Sequence, residues 1–348
     1  MDNLKQKLTE WPENLKDVID WFLRVGGKDT GNQNNDKSAA LKNAVYQLEG
    51  KDVLENALGN GNFEGLFRKV AEALQGFIGY DNSGNHELKD KGIGRKGPPS
   101  YTASYSKEAQ WNGDNQAYAH IFLGSMPVLY FGLTYTYWKC STVHIYGGWG
   151  TEMLHGGGRS PLYLFMFSMG FKPSTELQNI KGSEAARRLT SNFTYGFDEL
   201  TKAAKSTYSY SDFLENVKQY GESNISSSAV NCSLYALHRA SAAYLTSKFK
   251  NDQRTTDPFD KIKATLESVK SSCSRTDPDL SEQISKFLQD IGASPTAAAV
   301  DYTNDPSSPA GPVAGTLTTL GLGGGAAAAY ILDIGGAKTL VNGLLRIG

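Results

Sequence analysis

Cysteine and histidine are scarce in this sequence, at three and five of 348 residues, and three of the eight lie close together as Cys140, His144 and His155. Thiolate and imidazole are the donors zinc favours, so this trio is where metal chemistry would have to start. The Cys-x3-His spacing belongs to no recurring zinc site, however, and no fourth ligand stands nearby. A Cys–His nucleophile pair from the same residues would need a third group to orient the imidazole and a helix-terminal setting to stabilise the thiolate. The remaining histidines, His86, His120 and His238, are scattered and read as solvated or core side chains. The glycine-rich stretch from Gly147 to Gly158 lacks G-x-x-x-x-G-K-[ST] and the strand-then-helix setting of a dinucleotide site. Neither H-E-x-x-H nor G-x-S-x-G occurs. The expectation is a non-enzymatic chain with no catalytic residue, no cofactor-binding residue, no metal ligand, no cofactor and no small-molecule substrate.

Two kinds of covalent chemistry remain. Three N-x-[ST] triplets, beginning at Asn192, Asn224 and Asn231, are glycan acceptors if the chain is extracellular, although such triplets also arise by chance. Cys232 could pair with Cys140 or Cys273 in one disulfide. Three cysteines without a C-x-x-C exclude a disulfide-stapled scaffold and a zinc ribbon. The 35 Lys+Arg against 36 Asp+Glu leave a net charge of -1, which argues against a nucleic-acid partner. With 39% apolar and 20% charged residues there is ample material for a packed core.

The elements that must position these residues read as helices. Leu15, Val18, Ile19, Phe22 and Val25 recur at three- and four-residue steps, predicting an amphipathic helix with Trp21 at its apolar edge and a stop at Gly26-Gly27. The following Lys28 to Asp36 reads as an exposed loop. Apolar periodicity then predicts three more helices, around 41–48, 53–58 and 63–78. Residues 81–115, rich in Gly, Asn, Ser and Lys, read as a long loop or linker. From Ala117 to Trp138 no residue is charged, so a membrane span must be weighed against a core helix. His120, Pro127 and the tyrosines near its end favour the buried central helix. An apolar helix from Pro161 to Met169 follows, then helical pieces near 183–205, 210–220, 229–250, 257–272 and 279–291. The fold class expected is all-α, an irregular multi-helix bundle with long loops.

The carboxyl end changes character. Residues 293–312, with four prolines, read as an extended stalk, and 313–332 form a charge-free run of 20 residues, long enough at about 1.5 Å per residue to cross a hydrocarbon core of about 30 Å. Gly321, Gly325 and Ala329 make a small-residue row that would let two such helices approach closely. Asp301 and Asp305 precede the run while Lys338 and Arg346 follow it, so the positive-inside tendency puts the 1–292 body outside and 333–348 in the cytosol. The opposing reading is a flexible Gly/Ala-rich tail on a soluble interaction module. The amino terminus, Met1 to Lys7, shows no apolar core of a cleaved signal peptide.

Several blocks carry a family likeness. Asn14 to Val25 with Gly27-Lys28-Asp29, Ile121-Phe122-Leu123-Gly124 through Tyr137-Trp138-Lys139-Cys140, Cys232-Ser233-Leu234-Tyr235-Ala236-Leu237, and Pro309 to Gly348 together resemble the variant erythrocyte surface antigens of piroplasm parasites of the Babesia type. The low cysteine count is more like the family's beta subunit. The resemblance implies a membrane protein of the infected-erythrocyte surface that serves antigenic variation and adhesion. Its implied partners are a second antigen subunit, in a heterodimer, and a host endothelial receptor. In that setting the loops at 26–37, 81–115 and 141–159 are the expected places for variation and contact, because loop side chains support little of a core.

Overall fold

Asn14 begins the first helix by accepting the backbone N–H of Asp17 at 2.9 Å, which satisfies one of the unpaired donors of the first turn. A computed structural model describes residues 4–29, 36–48, 51–58, 62–79, 92–95, 101–142, 147–155, 160–193, 230–251 and 257–274, together with 281–282, 284–285 and 288. Over these residues the chain is all-α. The helices are α1 Leu15–Val25, α2 Ser38–Tyr46, α3 Lys51–Leu58, α4 Phe63–Ile78, α5 Asn115–Ser141, α6 Pro161–Ser168, the single turn α7 Pro173–Glu176, α8 Gly182–Phe193, α9 Val230–Asn251 and α10 Asp257–Cys273. No strand forms among the described residues; Lys5–Tyr105, Gly94–Leu177 and Met153–Lys181 are isolated bridges.

Helix α5 is the axis of the bundle. Its 27 residues start from Asp114, which accepts the N–H of Ala117, and helices α1, α2, α8, α9 and α10 all pack on it. Two glycines allow the closest approaches. A Cβ on Gly132 would lie 2.7 Å from the Leu15 side chain of α1, and one on Gly124 would lie 2.6 Å from Ile262 of α10. Where α1, α4 and α5 meet, Phe22 stacks on Phe67 at 5.1 Å and Phe63 meets Phe122 edge-on at 5.0 Å. Helix α9 lies against α3, α4 and α5.

The charge-free run at 117–138 is therefore a core helix, as its tyrosines and Pro127 suggest. No described helix is long and apolar enough to cross a membrane. Three expectations are corrected. Helix α1 is not half-solvated: all eleven of its residues are buried, including Lys16, Asp17, Asp20 and Arg24. Nor is 81–115 a free loop wherever it is described. Ile93, Tyr101, Tyr105 and Ala109 are buried, and Ser106 donates its N–H to Lys5 O while Lys5 donates to Ser104 O, both at 2.9 Å. A few apolar anchors in a polar stretch suffice to lay it against α1. The reading of Asp29 as solvated is also corrected, because its carboxylate is buried beside Arg24.

Of the helical pieces expected after 183, α8 is described as far as Phe193 and 194–205 lie outside the described residues; α9 and α10 stand near their expected bounds, and at the described positions 281–282, 284–285 and 288 the chain is helical, with Ile284 and Leu288 buried. Residues 210–220, the 293–312 stalk, the 313–332 apolar run and the 333–348 tail lie outside the described residues.

Candidate functional site

The densest set of charged side chains lies where α1 meets the 101–109 segment. Lys16 Nζ donates to Thr102 O at 2.6 Å, Ser104 Oγ at 3.1 Å and Asp20 Oδ2 at 3.3 Å. Asp20 in turn accepts the Tyr101 hydroxyl at 2.8 Å and the Ser104 N–H at 2.7 Å. One turn on, Arg24 donates to Ser106 O at 2.7 Å and Ala109 O at 3.1 Å and pairs with Asp29 through its Nε. Burial pushes the Asp29 carboxyl above its usual range, and Arg24 opposes this without cancelling it. Burial also raises the Tyr105 phenol, with Asp17 and Asp20 adding to it. These charges are spent on backbone carbonyls and on one another. The arrangement fastens a loop to a helix and leaves its cations committed to that task.

A second set fixes residues 92–95 on α8. Gln178 Nε2 donates to Gly92 O and Gly94 O, both at 2.9 Å, and Arg188 reaches Gly92 O, Gln178 Oε1 at 3.0 Å and Glu184 Oε1 at 2.8 Å. The side-chain bond from Arg187, assisted by Arg188, holds the Glu184 carboxyl down at about 2.

The residues singled out for chemistry do not come together. Cys140 is a free thiol buried near the end of α5, and burial pushes its pKa up, which disfavours the thiolate needed for attack or metal ligation. Its freedom also removes the Cys232–Cys140 pairing. The His155 Nε2 lies 2.6 Å from Ser174 O of α7, and His144 is outside the described residues. Among the described residues no three His, Cys, Asp or Glu side chains are grouped to hold a metal. Asn192 donates through Nδ2 to Arg188 O at 2.8 Å and packs on α4, where a Cβ on Gly76 would fall 1.9 Å from its Oδ1. An acceptor amide pressed between two helices is poorly placed for a glycan. Asn231 belongs to the first turn of α9, and Asn224 is outside the described residues.

Other clusters escaped the sequence. His238 of α9 stacks on Tyr130 of α5 with ring centroids 4.3 Å apart, and burial lowers its pKa to about 3. Lys139 lies over the rings of Tyr135, Trp138 and Trp149. The Trp138-Lys139 pair followed by Gly147-Gly148-Trp149 was a visible signal for this corner, but only the turn between α5 and α6 brings Trp149 to it. The Trp149 N–H reaches Lys139 O at 2.6 Å, and Gly150 N–H reaches Thr142 O at 2.9 Å. The 141–159 stretch, expected to be a free contact loop, thus carries buried Trp149 and Leu154. On α6 the opposite is true: Leu164 and Phe167 are 36% and 60% exposed.

These features define an all-α body built around one central helix, its polar clusters used to hold connecting segments. No family model, curated protein or solved structure matches this chain.

Proposed function

We propose that the chain is a non-enzymatic, membrane-anchored surface antigen whose helical body is displayed outside the cell, in the manner of the piroplasm variant antigens it resembles. The observation that carries the reading is the charge-free run 313–332 set behind a proline-containing stretch and in front of Lys338 and Arg346, in the order the resembling blocks require. The packing of the body is in keeping with it. Buried lysine and arginine side chains bind backbone carbonyls of connecting segments, so the scaffold holds those segments in place. Display on the infected erythrocyte, a second antigen subunit and an endothelial receptor belong to the same proposal.

Detergent phase separation tests the anchor. The full chain is expected in the detergent phase and a chain lacking 313–332 in the aqueous phase; full chain in the aqueous phase contradicts the reading. A soluble interaction module is the second reading, and the exposure of Leu164 and Phe167 on α6 favours it, since apolar side chains presented together mark contact surfaces.

A further inference from the structure

Among the described residues Asn112-Gly113 is the Asn-Gly pair, and it lies exposed just before the Asp114 cap of α5. Gly113 has a φ of 85°, and a Cβ built on it would meet nothing within 4 Å. Its N–H donates to no acceptor among the described residues. The Asn112 side chain, in contrast, is held firmly. Its Oδ1 accepts the Tyr118 hydroxyl at 2.9 Å and the Asp114 N–H at 3.1 Å, while the Asn112 N–H donates to the Tyr118 hydroxyl oxygen at 3.1 Å. Tyr118 is buried and stacked on Trp111 with ring centroids 3.7 Å apart, so this hydroxyl is a fixed donor. Its other acceptor, Gln110 O at 3.4 Å, competes weakly.

A carboxamide is a poor electrophile and a backbone amide a poor nucleophile, so a reaction between them depends on approach and on polarisation of the carbonyl. The bond from the Asp114 N–H folds the carboxamide back over its own backbone, and the Gly113 nitrogen lies between the two bonded ends. Glycine leaves that nitrogen unshielded by any side chain of its own. The two donors on Oδ1 draw charge from Cγ, and both bonds strengthen as the oxygen becomes negative in a tetrahedral intermediate. Burial pushes the Tyr118 phenol up, so it stays a donor as rising pH speeds removal of the amide proton.

We propose that Asn112 is a self-modification site, deamidated through a succinimide by the Gly113 nitrogen with the Tyr118 hydroxyl activating the carbonyl. Hydroxide takes the Gly113 amide proton, the nitrogen attacks Asn112 Cγ and an N–C bond forms. The bond from Cγ to Nδ2 then breaks, and ammonia leaves with a proton from water. Water next adds to one of the two imide carbonyls and a C–N bond breaks, the nitrogen regaining its proton. Opening at the Asn112 backbone carbonyl leaves isoaspartate, and opening at Cγ leaves aspartate. Either product carries a new carboxylate on the exposed turn, and isoaspartate also adds one carbon to the backbone there.

Incubating the full chain at mildly alkaline pH, folded and in guanidinium, tests this, with isoaspartate and aspartate at position 112 followed in time by peptide mass analysis. The folded chain is expected to convert Asn112 several-fold faster than the unfolded chain, because only the fold supplies the two donors. Folded conversion at or below the unfolded rate means that the hydrogen bonds restrain Asn112 and overturns the site. Tyr118→Phe keeps the ring against Trp111 and removes the hydroxyl. Its folded rate should fall several-fold while its unfolded rate matches that of the parent, so a general effect of the substitution cancels. An unchanged folded rate in Tyr118→Phe overturns the role of the hydroxyl.

Discussion

Lys16 and Asp20 are the residues whose removal should cost the body most per atom. Both are buried, and the carboxylate accepts from Lys16, Tyr101 and Ser104. Taking away one partner of a buried pair leaves the other charge uncompensated, a loss of about 3–5 kcal/mol. Lys16→Met is therefore expected to lower urea stability by about 3 kcal/mol, and Lys16→Met with Asp20→Asn to recover part of it, because no lone charge remains. Equal losses in the two variants would contradict the network. His238 sets a pH dependence through burial alone and not through a charged partner. With its folded pKa lowered to about 3 by burial, its neutral form is preferred in the native state. Its contribution is fully present above the unfolded value of about 6.5 and is lost as pH falls from there towards about 3, with a limiting slope of about 1.4 kcal/mol per unit. Asp29 and Glu176, both raised by burial, act in the other sense as they become neutral. The difference between wild type and His238→Phe isolates the histidine: Phe keeps a ring against Tyr130, and its unfolding free energy should fall less between pH 6 and pH 4. Parallel pH profiles would refute the assignment.

Helix α1 illustrates what an element reveals in its sequence and what it hides. The Leu15, Val18, Ile19, Phe22 and Val25 spacing and the stop at Gly26-Gly27 were legible, and the helix runs from Leu15 to Val25, with Asn14 capping it. Its second face was not, since Lys16, Asp20 and Arg24 look like a solvated stripe until residues 101–109 are laid over them. Tyr101 and Tyr105 were the anchors, and two aromatics within Gly- and Lys-rich sequence set no period that would announce burial. The same limit hid the Lys139 corner, whose third wall, Trp149, arrives by a turn and not by helical spacing. Helix α5 was readable because length, lack of charge and mixed aromatics agree on a core axis. Its closeness to α1 gives a test at this scale. Gly132→Ala places a methyl 2.7 Å from Leu15 and is expected to cost about 1–3 kcal/mol by overpacking. Leu15→Ala alone also destabilises by leaving a cavity, yet the double variant should be more stable than the sum of the two losses predicts. Strict additivity would mean that the helices part to accept the methyl group.

For the whole molecule, the proposed reading gives presentation to the described body and anchoring to the apolar run at 313–332. The body holds connecting segments in place by burying their anchors and tying their carbonyls to α1 and α8. On the proposed reading, sequence change is tolerated on the faces those segments turn to solvent and not at Tyr101, Tyr105 or Trp149. Replacing Trp149 by Ala should lower the melting temperature of the body, whereas replacing the exposed Lys107 by Glu should leave it unchanged, as thermal unfolding would register. The central claim is that this body stands outside the cell on a single anchor. Protease shaving of intact cells that express the chain with a different tag at each end tests it most directly. Loss of the amino-terminal tag alone, abolished when 313–332 is deleted, is the result expected. Survival of both tags on the full chain would place the body inside and contradict the displayed-antigen account.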